Sequence, residues 1–179
     1  MLPKFQNGGK SRASQWPRAT LEHRVHSNAA TMLLVAVCST VSCLLFLFGV
    51  SFNLFFTAMV PYYLVITGKL GGGPETALYI QTGIALALIA LYPVCYLLSK
   101  KYPLPGLISG TALYTLDTLA MLYLYELRAP ILVEVLFHAI VLWSLISGVI
   151  AAVQLKKLPP EDPSAQSVRD ELDPDDDSE

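Results

Sequence analysis

The chain of 179 residues is 54% hydrophobic, and only 15% of its residues are charged. Soluble domains average about 25% charged residues, so this composition argues against a soluble domain and gives no indication of nucleic-acid binding. The formal net charge of −2 hides an uneven distribution, because nine of the fourteen acidic residues lie in residues 161–179. We therefore expect a basic membrane-embedded body followed by an acidic tail.

Four apolar stretches are long enough for membrane spans, since a helix needs about 20 apolar residues to cross a hydrocarbon core of about 30 Å. Residues 1–27 are polar and basic, which predicts a cytoplasmic N-terminal segment. The apolar run that follows is too long for the core of a cleavable signal peptide, and Ser27 and Asn28 are suitable caps for its helix. The predicted fold is all-α, a bundle of four transmembrane helices within residues 28–155. The spans are 28–50, 74–99, 105–125 and 130–155.

A fifth apolar stretch, residues 52–68, is 17 residues long and is interrupted by Pro61. Three interpretations are open: a short span, a re-entrant segment, or a segment lying flat at the interface. Non-helical backbone at membrane depth requires partners from protein or water. If it is not a span, this stretch forms a hydrophobic hairpin on the outer side, either re-entrant or interfacial.

The positive-inside rule decides the number of spans. With four spans and a cytoplasmic N-terminus, ten Lys and Arg residues lie inside and two, Lys69 and Arg128, lie outside. A fifth span would leave seven inside and five outside. We expect four spans in the cell membrane, with both termini cytoplasmic. The ten inside residues are Lys4, Lys10, Arg12, Arg18, Arg24, Lys100, Lys101, Lys156, Lys157 and Arg169.

The C-terminal segment, residues 156–179, contains four prolines and the nine clustered acids. Such a composition cannot bury enough apolar surface to offset the entropy of ordering. We predict a disordered acidic tail on the cytoplasmic side.

Small residues recur at four-residue spacing in three of the spans. The pairs are Gly83 and Ala87, Gly106 and Gly110, and Gly148 and Ala152. Close packing of small residues drives helix association in lipid, so these pairs predict helix contacts. The pattern leaves open whether any of them meets a second subunit.

Three ionisable residues lie within the predicted spans. Asp117 is eight residues before the outer end of the third span at Tyr125, and His138 is eight residues after the fourth span begins at Pro130. Both should lie at the same depth, on the order of 12 Å below the outer helix ends. Glu134 lies one turn above His138 on the same helix face.

A charge near the bilayer centre costs about 2.5–3.5 kcal/mol on insertion scales. We therefore expect Asp117 to be protonated or paired, with His138 as its partner. Gln81, early in the second span, should lie at a similar outer depth. The first interpretation is an ion- or proton-handling site that opens outward. The alternative is a buried hydrogen-bonded cluster that fixes helix register.

Motifs for catalysis or cofactor binding do not occur in the sequence. HExxH, GxSxG, the P-loop and GxGxxG are all missing, and these carry the common metalloprotease, hydrolase and nucleotide chemistries. One imidazole and two carboxylates, without a second histidine, are a weak indication of a metal site. We expect no catalytic residues, no metal site and no cofactor.

Three short motifs suggest a family: Pro61-Tyr62-Tyr63, Asp117-Thr118-Leu119 and Phe137-His138. Through them, residues 25–155 resemble small four-span bacterial membrane proteins of unassigned function. The resemblance implies the four-span arrangement and no activity. The span count also resembles that of small multidrug transporters, but those carry an essential acid in the first helix, and here the first span has none.

Three hypotheses about function follow. The first is an accessory subunit or homo-oligomer that acts through helix contacts, without chemistry of its own. The second is a proton-coupled transporter or channel component built around Asp117 and His138. A membrane enzyme ranks third, because no nucleophile with a placed base is visible.

Overall fold

The computed structural model describes residues 17–50, 54–72, 74–124 and 131–158. Within these ranges the regular structure is entirely helical, and four of the five helices are long and apolar enough to cross a membrane. The predicted all-α, four-span fold is thus confirmed. Residues 1–16 of the basic segment and residues 159–179 of the acidic tail lie outside the described residues. The helices are α1 (Arg18–Leu47), α2 (Met59–Leu70), α3 (Glu75–Lys101), α4 (Pro103–Leu124) and α5 (Ile131–Lys157).

The first helix begins ten residues earlier than the predicted span. Pro17 is at its N-cap, and Ser27 and Asn28, expected as caps, are interior residues of α1. The difference arises because hydropathy marks only the part of a helix that fits the hydrocarbon core. The polar first turns of α1 still bury Leu21 and Val25, so tertiary packing extends the helix beyond its apolar part.

The other three long helices, α3, α4 and α5, each begin and end within two residues of the predicted span limits. Glu75 lies in the first turn of α3, and lysine pairs lie in the last turns of α3 and α5. Both placements suit the helix macrodipole, which favours an anion at the N-terminus and cations at the C-terminus.

Glycine positions in α4 and α5 are used for packing inside the chain. A Cβ added at Gly106 would overlap the backbone of Ser99, and one at Gly110 would overlap the Met32 side chain. A Cβ at Gly148 would come within 2.9 Å of the Asn28 Cβ. Ala152 is also buried. The predicted contacts at these four positions therefore join helices of one chain, whereas Gly83 and Ala87 on α3 are exposed.

The short helix α2 begins inside the bundle and runs to its surface. At its C-terminal end, the Lys69 Nζ donates to the carbonyls of Phe46 and Leu47 at the end of α1, at 2.7 and 2.9 Å. Before its first residue, the Ala58 N–H donates to Ser39 Oγ at 2.8 Å. Ser39 is seven residues before Phe46, or about 10 Å along α1. Within residues 54–68, α2 thus begins at the level of Ser39 and runs towards the C-terminal end of α1.

Candidate functional site

The Asp117 carboxylate binds the N-terminus of α2. Its Oδ2 accepts the Met59 N–H at 2.9 Å, and its Oδ1 accepts the Val60 N–H at 2.8 Å. The first N–H groups of any helix lack partners within the helix, and the N-cap residue Ala58 provides no side-chain cap. A carboxylate suits this position because charge-assisted hydrogen bonds and the helix dipole both favour an anion there. Asp117 thus caps α2 from another helix.

Hydroxyl groups satisfy the irregular backbone that leads into α2. The Ser39 hydroxyl accepts the Ala58 N–H, and the Ser42 hydroxyl accepts the Leu54 N–H at 3.0 Å. Thr57 Oγ1 donates to the Leu54 carbonyl at 2.7 Å and is hydrogen-bonded to Ser42 Oγ at 2.8 Å. These contacts meet the requirement that non-helical backbone at membrane depth be satisfied by protein.

His138 lies beside the capping carboxylate. Its Nε2 is 3.6 Å from Asp117 Oδ2, and the two side chains are only 1% and 5% exposed. Its Nδ1 is 2.9 Å from the Glu134 carbonyl oxygen. The imidazole stacks on the Tyr114 ring, with centroids 5.1 Å apart, and Tyr114 meets Tyr92 edge-on. One face of the imidazole is thus covered by an aromatic ring.

The hydrogen-bond pattern restricts where the proton on His138 can be. A carbonyl oxygen only accepts, so the contact with Glu134 assigns a proton to Nδ1. The Nε2 atom is buried and has no hydrogen-bond partner among the described residues. In a neutral ring its lone pair would face the Asp117 carboxylate, which is unfavourable. A proton between Nε2 and Asp117 removes this repulsion, so the geometry can hold one proton there.

The structure brings together some of the residues expected at the site and separates others. Asp117 and His138 are neighbours, and Glu134 contributes its backbone carbonyl to the imidazole. Gln81 is elsewhere: a Cβ added at Gly68 would overlap its side chain. Gly68 is eight residues beyond Val60, so Gln81 is about 12 Å along α2 from the Asp117 contacts. Gln81 therefore lies beside the C-terminal end of α2, whereas Asp117 lies beside its N-terminal end.

A cleft of about 270 Å³ between α2, α3 and α4 reaches Asp117. Its other lining residues include Pro61, Leu88 and Leu116, and Tyr92 is the only one of them besides Asp117 whose side chain has a polar atom. A hydrated ion would find few oxygen ligands along this wall. Among the described residues there is also no group of three or more His, Cys, Asp or Glu residues placed to hold a metal.

Sequence reasoning missed the backbone partners of Asp117 and the hydroxyl groups around them. Ser39 and Ser42 are three residues apart in the first apolar run, so they share a helix face. Thr57 lies within the proline-interrupted apolar stretch 52–68, whose non-helical backbone needs hydrogen-bond partners. The spacing of Ser39 and Ser42 and the position of Thr57 were together the sequence signal for these contacts.

The chain matches no protein-family model, and no curated protein or solved structure shows significant similarity to it. Its function must therefore be inferred from the geometry of the site.

Proposed function

We propose that the protein is a helical membrane protein that acts through contacts with neighbouring membrane components, without chemistry of its own. The observation that carries this proposal is the engagement of both Asp117 carboxylate oxygens by the N-terminus of α2. In this proposal the buried cluster around Asp117 holds α2 in place, and the outward faces of the long helices make the contacts with neighbouring membrane components.

Movement of Asp117 away from α2 would be costly. Its departure would remove the acceptor of the Met59 and Val60 N–H groups, at a cost of about 1–3 kcal/mol for each. A carrier carboxylate must release and rebind its cargo in every cycle. Here each release would also unseat α2, which favours a structural role.

The outward surfaces of the long helices suit contacts with lipid or with partner helices. Trp143 is 75% exposed, and Leu116 and Leu136 are also exposed. The glycine positions of α4 and α5 are used within the chain, so an assembly would use other faces. Whether the partner is a second copy or another protein is tested by cross-linking in native membranes, followed by mass analysis of the products.

The proposed orientation in the cell membrane places both termini in the cytoplasm. Support comes from the lysine pairs in the last turns of α3 and α5, opposite the end of the bundle where Lys69 lies. Such a distribution is typical of cytoplasmic helix ends. Reporter fusions after Lys157 and within residues 71–74 should report opposite sides of the membrane.

A second candidate function, a proton-coupled transporter or channel component, is favoured by one specific observation. His138 Nε2 and Asp117 Oδ2 are 3.6 Å apart and deeply buried, and a proton fits between them. Buried ionisable residues within membrane spans commonly mark proton relays. Four helices rarely enclose a path, so this function would need oligomerisation.

Proteoliposomes with a trapped pH-sensitive dye separate the two functions. The first proposal predicts that wild-type protein adds no proton flux, with or without a membrane potential. The second predicts flux that Asp117→Asn and His138→Ala abolish while the protein stays folded. Flux in the wild type that survives both substitutions would contradict the second candidate and the first together.

A further inference from the structure

A second cleft, of about 440 Å³, lies where α3 turns into α4 and where α5 ends. Its wall is mainly apolar and includes Leu104, Ala152 and Leu155. Two lysines, Lys101 and Lys156, also line it, and none of the described residues that line it is acidic. The cleft therefore combines an apolar surface with two positive charges.

The two lysines are available to a ligand. Both are exposed, and neither forms an ion pair with another described residue. The Lys101 Nζ lies 5.5 Å from the centre of the Tyr102 ring, which keeps the ammonium group at the cleft. Lys101 and Lys156 each belong to the last turn of a long apolar helix, the level at which a span leaves the hydrocarbon and meets lipid head groups.

The N-terminus of α4 also lines the cleft but adds little positive charge. Pro103 and Pro105 have no N–H, and the Gly106 N–H donates to the Tyr102 carbonyl at 3.0 Å. The positive potential at the cleft therefore comes from the two lysines.

We propose that this cleft binds an anionic phospholipid, with the phosphate between Lys101 and Lys156 and the start of an acyl chain along Leu104 and Leu155. Charge complementarity identifies the head group, because basic pockets between spans bind anionic head groups. The apolar wall identifies a lipid rather than a soluble phosphate. A volume of this size accommodates a head group and the first methylene groups.

The test measures lipid bound to the full chain in detergent by native mass spectrometry, during titration with phosphatidylglycerol or phosphatidylcholine. Wild-type protein should prefer phosphatidylglycerol. The double variant Lys101→Gln/Lys156→Gln should lose about 25-fold in phosphatidylglycerol affinity, or roughly five-fold for each lysine. The matched control is Lys100→Gln/Lys157→Gln, which removes the same charge from lysines outside the cleft wall and should lose less than three-fold. Equal losses in the two double variants, or no loss in either, would overturn the proposal.

Two further arms distinguish other occupants of the cleft. Inorganic phosphate at millimolar concentration should not displace the lipid, and full displacement would identify a soluble-anion site and overturn the proposal. The acidic residues 161–179 follow closely after Lys156 in the sequence. A chain ending at Leu158 should bind phosphatidylglycerol as the full chain does. Binding that appears only after this truncation would identify the tail as the occupant and overturn the proposal.

Discussion

The Asp117 Oδ1 atom on α4 accepts the backbone N–H of Val60 on α2 at 2.8 Å, across 57 residues of sequence. With the Met59 contact, this makes an intramembrane carboxylate the cap of a helix to which it does not belong. The charge that is costly in lipid is thereby placed where two N–H groups and a helix dipole favour it.

Removing the Asp117 carboxylate should destabilise the protein strongly. Asp117→Ala removes the acceptor of the Met59 and Val60 N–H groups, and we expect a loss of about 3 kcal/mol in the free energy of unfolding in detergent. Asp117→Asn keeps one acceptor oxygen and should lose roughly half as much. The control is Leu116→Ala, at the exposed neighbouring position. If Asp117→Ala is no more destabilising than this control, the capping role is wrong.

The Ser39 hydroxyl should matter more than its neighbour Thr40. Ser39→Ala removes the acceptor for the Ala58 N–H and should cost about 1–2 kcal/mol. Thr40 Oγ1 donates to the Ala36 carbonyl within its own helix, so Thr40→Val should change stability by less than about 0.5 kcal/mol. Thermal unfolding of both variants in the same detergent makes the comparison. Equal effects of Ser39→Ala and Thr40→Val would show that the hydrogen bond between Ser39 and Ala58 contributes nothing to stability.

The effect of a glycine-to-alanine substitution on stability should depend on the space available to the new Cβ. Gly106→Ala meets the Ser99 backbone, which cannot move independently, and should be the most destabilising. Gly110→Ala meets the flexible end of Met32 and should cost less. Gly83 has open space, so Gly83→Ala should stabilise α3 by up to about 1 kcal/mol. Melting temperatures in a different order would contradict the packing described.

His138→Phe separates ring stacking from the contact with Asp117. Phenylalanine keeps an aromatic ring against Tyr114 and lacks the Nε2 atom. Because α2 already satisfies Asp117, we expect a loss of less than about 1.5 kcal/mol, smaller than for Asp117→Ala. The measurement is the free energy of unfolding of both variants. A loss for His138→Phe that equals or exceeds that of Asp117→Ala would identify the imidazole as the principal partner of the carboxylate.

Much of the fold was predictable because a membrane imposes simple lengths. Runs of about 20 apolar residues located the long helices, and counting helical rise from their ends placed Asp117 and His138 at one depth. The same counting placed Gln81 with them, although it lies against Gly68 instead. Position along a single helix can be read from sequence, whereas which residues of neighbouring helices lie side by side depends on how the helices pack.

The role of hydroxyl groups could not be predicted in the same way. Thr111, Thr115 and Thr118 donate to carbonyls four residues earlier in their own helix, as Ser and Thr commonly do in membrane helices. Ser39 and Ser42 bind another segment instead. Nothing in their residue type separates the two behaviours, because the choice depends on the irregular backbone that approaches them. The partners of Asp117 were hidden for the same reason: backbone N–H groups have no sequence signature.

The most direct test of the central claim is a double-mutant cycle between Asp117→Ala and Met59→Pro. Proline is tolerated at the first position of a helix, and the extended Ala58 backbone, with φ −68° and ψ 126°, is compatible with a following proline. Met59→Pro therefore removes one N–H donor from α2 without preventing the helix. The account predicts that Asp117→Ala costs about 1–2 kcal/mol less in the Met59→Pro background than in the wild type. Additive losses, with no coupling between the two positions, would contradict it.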